Sequence, residues 1–314
     1  MSVPAVGAAT DPFQPAPGWD LLADVRELFT YAFMINAIEA GTVVAVLSAV
    51  IGWFMVLRRQ SFTGHTIAVI GFPGAAGALV LGLSATVGFY AFAIAGALVI
   101  AAVRFDGRLG YRTESAVAGT IQAAALACGF WFSSLYGGFT GGASALLFGS
   151  FLGITAGQVQ TLGVLAVIVL ALIAMIGRPL LFASVDPSVA VARGVPVRAL
   201  SVAFLLLLAV AAASAAQITG TLLVFALLVV PAATAQLLTA RPVLGLGLGV
   251  AIGLAVTWTA LVAAYYVPYP IGFFLTSTAF AAYLLAFLAS RLRRRSRPAE
   301  RAPTSDVVLE PVRS

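Results

Sequence analysis

Nine runs of mostly apolar residues, each about 20 residues long, follow one another along this chain. A run of this length spans the hydrocarbon layer of a bilayer when it forms an α-helix. The predicted spans cover residues 33–57, 62–81, 84–103, 116–136, 158–177, 199–216, 219–240, 243–264 and 271–290. Only 9% of the residues are charged, against about 25% in soluble domains. We therefore expect an all-α polytopic membrane protein with about nine (eight to nine) transmembrane helices.

The arginines predict how the spans are oriented. All seventeen basic residues are arginine, and cytoplasmic loops are enriched in basic residues. Nine alternating spans with the N-terminus outside place every arginine except Arg26 on the cytoplasmic side. We predict a disordered or interfacial outer N-terminus at 1–30, a transmembrane domain at 31–290 and a basic cytoplasmic tail at 291–314 beside anionic lipid. A shorter apolar piece at 143–154 predicts a partial helix or a re-entrant turn, and eight spans with one re-entrant segment stay open.

Several functions are excluded by what the sequence lacks. Without lysine the chain has no Walker A loop, so any ATP must be hydrolysed by another polypeptide. The arginines do not cluster on a soluble domain, so no nucleic-acid partner is expected. The single cysteine, Cys128, forms neither a disulfide framework nor a thiolate metal site within one chain. We expect no cofactor bound by this chain.

A short polar stretch, residues 185–198, separates two of the apolar spans. Its distinctive residues are Asp186, Pro187, Arg193, Gly194, Pro196 and Arg198. An Asp-Pro pair favours the start of a helix, and a glycine before a proline favours its end. The pattern predicts a short amphipathic helix at the cytoplasmic membrane surface, and an ordinary loop is the alternative.

Two segments, DPSVAVARGVPVRAL from 186 and TGTLLVFALLVVPAATAQLL from 219, resemble the permease subunits of bacterial zinc, manganese and iron ABC importers. Weaker matches, RRQSF, FPG, ESAVAG, LLFGSFLGI and YPIGF, extend the resemblance over about 33–290. The resemblance implies that 185–198 docks on a separate ABC ATPase subunit, which binds the ATP and drives alternating access. It also implies an extracytoplasmic solute-binding protein and a second permease copy, identical or different, in the bacterial plasma membrane. Importers with non-metal or chelated cargo, and ATPase-independent secondary transporters, are alternatives.

The second span departs from the resembling family at the metal-ligating positions. In that family the span reads like G-D-x-x-x-H-x-x-x-P-G, and its Asp and His lie one helical turn apart. Here His65 stands at the Asp position and Val69 at the His position. Manganese prefers oxygen ligands and zinc wants about four ligands, so one imidazole is an incomplete site for either. His65 is the candidate metal contact, and a structural polar residue is the alternative.

Four further residues are candidates for lining the pathway. Glu39 is the only carboxylate well inside an apolar span, and an intramembrane acid is a functional candidate. Its position near the outer surface fits either an entry role or a solvated helix end. The resemblance implies that the helix at 220–235 borders the pathway, which adds Thr221, Thr234 and Gln236.

Overall fold

The computed structural model describes residues 28–105, 111–135, 147, 149, 153–221, 223–267 and 269–295. In these residues the chain forms eleven α-helices and no strand. The helices are α1 Ala32–Leu57, α2 Ser61–Val80, α3 Ala85–Phe105, α4 Tyr111–Leu135, α5 Ala156–Val185, α6 Pro187–Ala192, α7 Val197–Thr219, α8 Val224–Leu228, α9 Val230–Leu238, α10 Pro242–Tyr266 and α11 Ile271–Arg295. The prediction of an all-α chain is confirmed. Residues 1–27, most of the piece at 143–154 and the tail from 296 lie outside the described residues.

Eight of these helices are long and apolar enough to cross a membrane: α1 to α5, α7, α10 and α11. They correspond to eight of the nine predicted spans. The first, second and sixth are 67%, 78% and 72% buried in their most apolar windows, against at most 33% in the other five. Helices α1, α2 and α7 therefore form the centre of the bundle, and the other five surround it.

The predicted continuous span at 219–240 is wrong. Helix α7 ends at Gly220, whose φ of 79° is left-handed, and the chain then forms the short helices α8 and α9. Pro231, at the start of α9, cannot donate a backbone hydrogen bond. The interrupted segment, residues 220–238, still runs from one end of the bundle to the other. Its Leu223 lies beside Gly272 at the start of α11, and Gln236 bonds to Trp53 near the end of α1.

Helix α5 is much longer than the predicted span at 158–177. It begins with a capping box, in which Thr155 and Gln158 bond each other's backbone amides. It then continues for 30 residues, through Pro179, to Val185. At 1.5 Å per residue it is about 45 Å long, which exceeds the hydrocarbon thickness of about 30 Å. Helix α5 is therefore longer than the apolar layer is thick, and its end that carries α6 lies level with Arg58, just after α1.

Candidate functional site

The start of α6 is fixed by Asp186. Its carboxylate accepts hydrogen bonds from the amides of Ser188 and Val189, at 3.1 and 3.0 Å, and from the Ser188 hydroxyl at 2.6 Å. Pro187 occupies the first helical position, where a missing amide costs nothing. The hydrogen bond from the Ser188 hydroxyl, followed by that from the Val189 amide, lowers the pKa of Asp186. The carboxylate is therefore held as an anion at the helix N-terminus.

The end of α6 is fixed by Gly194, whose φ is 77°. The amide of Gly194 donates to the carbonyl of Val191 at 2.9 Å, and the amide of Val195 donates to that of Ala190 at 3.0 Å. This pair of bonds is the Schellman motif, which favours glycine at its left-handed position. The prediction of a short helix begun at Asp186-Pro187 and stopped at Gly194 is confirmed.

The surface of this segment is both apolar and basic. Ala190 is buried against the bundle, whereas Val185, Val189 and Val191 are exposed by 71%, 43% and 62%. The remaining residues that the sequence analysis selected, Arg193, Pro196 and Arg198, are also exposed. Apolar side chains exposed beyond the membrane-spanning part of a helix are typical of a protein docking surface.

Arg58, just after α1, connects the core to both helices that hold α6. Its guanidinium donates to the hydroxyls of Ser184 at 3.1 Å and Ser201 at 2.7 Å. It also lies over the ring of Phe204, 5.4 Å from the centroid. Ser184 is in the last turn of α5, and Ser201 is near the start of α7. The sequence analysis used Arg58 only as a marker of topology, because these partners are 126 and 143 residues away.

The interrupted segment packs backbone to backbone on α1. A Cβ built on Gly52 would lie 2.9 Å from the carbonyl carbon of Leu228 and closer still to its oxygen. Only glycine permits this approach, and it occurs where α8 gives way to α9. Ser48, one turn before Gly52, is fully buried, and its hydroxyl has no hydrogen-bond partner among the described residues.

His65 lies on α2 against the same interrupted segment. Its ring meets that of Phe225 edge to face, with the centroids 5.8 Å apart. The Nδ1 atom is buried and has no hydrogen-bond partner in the part of the chain that the structure describes. Thr221, at the start of the segment, is fully buried, and its hydroxyl is likewise unpaired. Unsatisfied polar groups are costly in an apolar interior, so polar atoms without partners mark a place that a polar ligand or water could occupy.

The other two candidates on this segment are engaged in structural hydrogen bonds. Thr234 is buried, and its hydroxyl donates to the carbonyl of Val230 at 2.7 Å. Gln236 is half-buried and donates to the carbonyl of Trp53 at 2.9 Å, which joins α9 to α1. Thr221 is therefore the candidate on this segment with a free polar group.

Glu39 is exposed, in the half of α1 opposite to Arg58. Nearby on α1, the side-chain amide of Asn36 donates to the carbonyl of Ile154 at 3.1 Å. This hydrogen bond joins α1 to the residues just before α5. His65 and Glu39 lie on different helices, each near the N-terminal end of its own helix, and these two ends are at opposite ends of the bundle. Within the described ranges no three His, Cys, Asp or Glu side chains are grouped as a metal site.

Comparison with known proteins gives a consistent result. Residues 30–290 match the ABC 3 transport family. The chain is 34% identical over 212 residues to the manganese transport system membrane protein MntC of Listeria monocytogenes, which covers 68% of this chain and 74% of that protein. It is 30% identical over 213 residues to the chelated iron transport system membrane protein YfeC of Yersinia pestis, covering 68% and 71%.

A solved structure extends the similarity to the fold. The structure of PsaBC from Streptococcus pneumoniae in complex with Fab contains a chain that superimposes with a TM-score of 0.76 at 25% identity. The match covers 88% of this chain and 99% of that one. The resemblance that the sequence motifs predicted is confirmed: the chain is an integral membrane protein and belongs to the ABC 3 transport family.

Proposed function

We propose that this chain is the permease subunit of an ABC importer that carries a divalent transition metal, such as manganese, iron or zinc, across a bacterial plasma membrane. The observation that carries the proposal is the family match over residues 30–290. Relatives named for manganese and for chelated iron transport support the cargo class. The exposed and doubly capped helix α6 supports a docked ATPase, which this lysine-free chain requires for ATP hydrolysis.

The contacts around α1 suggest how force reaches the pathway. An ATPase bound at α6 moves the ends of α5 and α7, which Arg58 ties to α1 through Ser184 and Ser201. Helix α1 in turn touches the interrupted segment where Gly52 meets Leu228. A displacement of α6 therefore moves the residues that face His65, which is a means of switching access from one side to the other.

The same geometry supports an orientation. Arg58, Arg178, Arg193, Arg198 and Arg241 lie towards the end of the bundle that carries α6, and basic residues favour the cytoplasmic side. We therefore propose that α6 and the C-terminus are cytoplasmic and that the N-terminus is outside. Glu39 then lies near the outer mouth, where a solute-binding protein would release cargo. A second permease copy would supply a second imidazole, because one His65 is an incomplete metal site.

Metal in chelated form is a second candidate cargo, and the chemistry of the pathway favours it. His65 is the only histidine in the chain. The described residues beside the interrupted segment offer hydroxyls and one imidazole but no carboxylate cluster. A cargo that keeps its own ligands would need fewer protein ligands than a bare cation.

Transport by the reconstituted complex tests both candidates. The permease is incorporated with its ATPase into proteoliposomes, and ATP hydrolysis and uptake are measured with Mn²⁺, with Zn²⁺ and with iron citrate. For a bare cation we expect His65→Ala to weaken metal stimulation by at least about tenfold. His65→Asp should restore manganese in preference to zinc, because manganese prefers oxygen ligands.

The controls separate the alternatives. Gly163→Ala, at a helix position with no neighbour within 4 Å of its Cβ, controls for reconstitution. If iron citrate stimulates ATP hydrolysis and Mn²⁺ and Zn²⁺ do not, the result favours chelated metal as the cargo. Metal uptake without any ATPase would contradict the importer, and unchanged metal affinity in both His65 variants would assign His65 a structural role.

A further inference from the structure

A cavity of about 540 Å³ lies between α1, α5 and α10. Its walls are almost wholly apolar and include Val50, Leu170, Ile173 and Leu246. His65, Thr221 and Phe225, which mark the candidate pathway, do not line it. Its volume falls in the range of about 300–1,000 Å³ that is usual for small-molecule sites. The cavity is therefore a separate candidate binding site.

Small residues and a proline open this cavity. Gly177 on α5 and Gly247 on α10 both line it. A Cβ on Gly247 would meet nothing within 4 Å, and one on Gly177 would make only ordinary contact with Phe54 at 3.7 Å. Pro179, inside α5, lacks the amide that would bond the carbonyl of Met175, which favours a bend there. The opening therefore lies beside a distorted turn of α5.

The height of the cavity relates it to the membrane. Leu170 and Leu181 are eleven residues apart on α5, so the cavity extends about 16 Å along the helix, to one turn beyond Arg178. Arg178 is about 33 Å from the first residue of α5, which is close to the hydrocarbon thickness of about 30 Å. The apolar walls thus lie at the depth of acyl chains, and Arg178 lies at the depth of lipid headgroups.

The rim of the cavity carries positive charge and hydrogen-bond donors. Arg178 is exposed, and among the described residues its guanidinium makes no hydrogen bond or ion pair. Arg241, also exposed, immediately precedes the lining residue Pro242. Trp53 lines the cavity and has a buried indole N–H without an acceptor, beside Gly245. No carboxylate is among the described residues that line the cavity.

We propose that this cavity binds one anionic phospholipid, with an acyl chain between α1, α5 and α10 and its phosphate at Arg178 and Arg241. Charge complementarity favours this occupant, because the two arginines lie at the depth of lipid headgroups and the apolar cleft lies at the depth of acyl chains. A bound lipid would pack between the stem of α5, which carries α6, and the core helix α1. The site is independent of the cargo and of the metal candidates.

Lipid retention by the full-length protein tests the proposal. The chain is reconstituted in vesicles of phosphatidylcholine and phosphatidylglycerol at 3:1, extracted in mild detergent, and its retained lipid is counted by mass spectrometry. We expect phosphatidylglycerol to be enriched over the vesicle ratio. Arg178→Gln should reduce that enrichment about fivefold, the factor expected for one arginine at a membrane surface.

Two further variants make the outcome decisive. Arg291→Gln removes an exposed arginine of α11 that stacks on Phe287 away from the cavity, and it should retain lipid like the wild type. Gly247→Leu fills the cavity without a backbone clash and should lose the bound lipid. Retention without preference for phosphatidylglycerol, or equal retention in the Arg178 and Arg291 variants, would overturn the proposal. Unchanged lipid retention in Gly247→Leu would also overturn the proposal, even if that variant changes its oligomeric state.

Discussion

Adding one methyl group at Gly52 tests whether the interrupted segment depends on its backbone contact with α1. The new Cβ would lie 2.9 Å from the carbonyl carbon of Leu228, whereas carbon atoms in contact prefer about 3.5–4.0 Å. The two backbones must therefore separate by considerably more than about 0.6 Å, because the carbonyl oxygen of Leu228 lies closer still. Overpacking of this kind costs up to about 3 kcal/mol, and the higher helix propensity of alanine offsets about 1 kcal/mol. We expect a net destabilisation of about 2 kcal/mol.

Thermal unfolding in detergent and uptake in proteoliposomes measure the effect. A change of about 2 kcal/mol corresponds to a fall in Tm of about 3 °C for 314 residues, at an unfolding entropy of about 2.1 cal/mol/K per residue. Uptake should fall as well, because the separation moves Leu228 and the neighbouring Phe225 relative to His65. Gly163→Ala is the matched control, since its Cβ meets nothing within 4 Å and its helix should gain stability. If Gly52→Ala unfolds and transports like Gly163→Ala, the contact is not needed and the reasoning fails.

Three other changes probe the coupling end of the molecule. Arg58→Ala removes hydrogen bonds from a charged donor, each worth about 1.5–3 kcal/mol. Uptake should therefore fall at least about tenfold while the ATPase still hydrolyses ATP. Arg58→Lys should recover part of the uptake. Full uptake by Arg58→Ala would contradict the proposed link from α6 to α1. Gly194→Ala forces a left-handed alanine in open space, at about 1–2 kcal/mol, so Tm should fall by no more than about 3 °C while co-purification of the ATPase falls several-fold. Equal co-purification would rule out the docking role. Because the folded state lowers the pKa of Asp186, its stabilisation of α6 is complete above the ordinary value of 3.8 and is lost as pH falls through the lower folded value. Hydrogen exchange of residues 187–195 should accordingly speed up on acidification relative to Asp186→Asn, and parallel profiles for the two proteins would refute this.

Local sequence signals predicted α6 well because its ends are fixed by local chemistry. Asp186 bonds amides two and three residues ahead, and Gly194 closes bonds that reach back no more than five residues. Both ends can therefore be recognised from residue types at fixed spacing. The same applies to the eight long helices, whose length and apolarity are properties of single segments.

The interruption in 220–238 could not be predicted in this way, because hydropathy is high throughout the segment. Pro231 and Gly220 are weak breakers that many transmembrane helices tolerate, since neighbouring groups can satisfy the freed backbone atoms. The break between α8 and α9 lies where Leu228 contacts Gly52, a residue 176 positions earlier in the chain. The role of Arg58 is hidden for the same reason, because its hydroxyl partners come from distant helices.

The length of α5 has a consequence for the machinery that must dock on this protein. Its 30 residues exceed the hydrocarbon layer by about 15 Å, which is more than the depth of one headgroup layer. The excess length lets the tip of α5, which Arg58 joins to the end of α1, reach the headgroup layer, where a docked subunit can contact it. Deleting one turn from α5 would move α6 about 5 Å toward the membrane. The length of α5 therefore sets the distance from the membrane at which the ATPase docks.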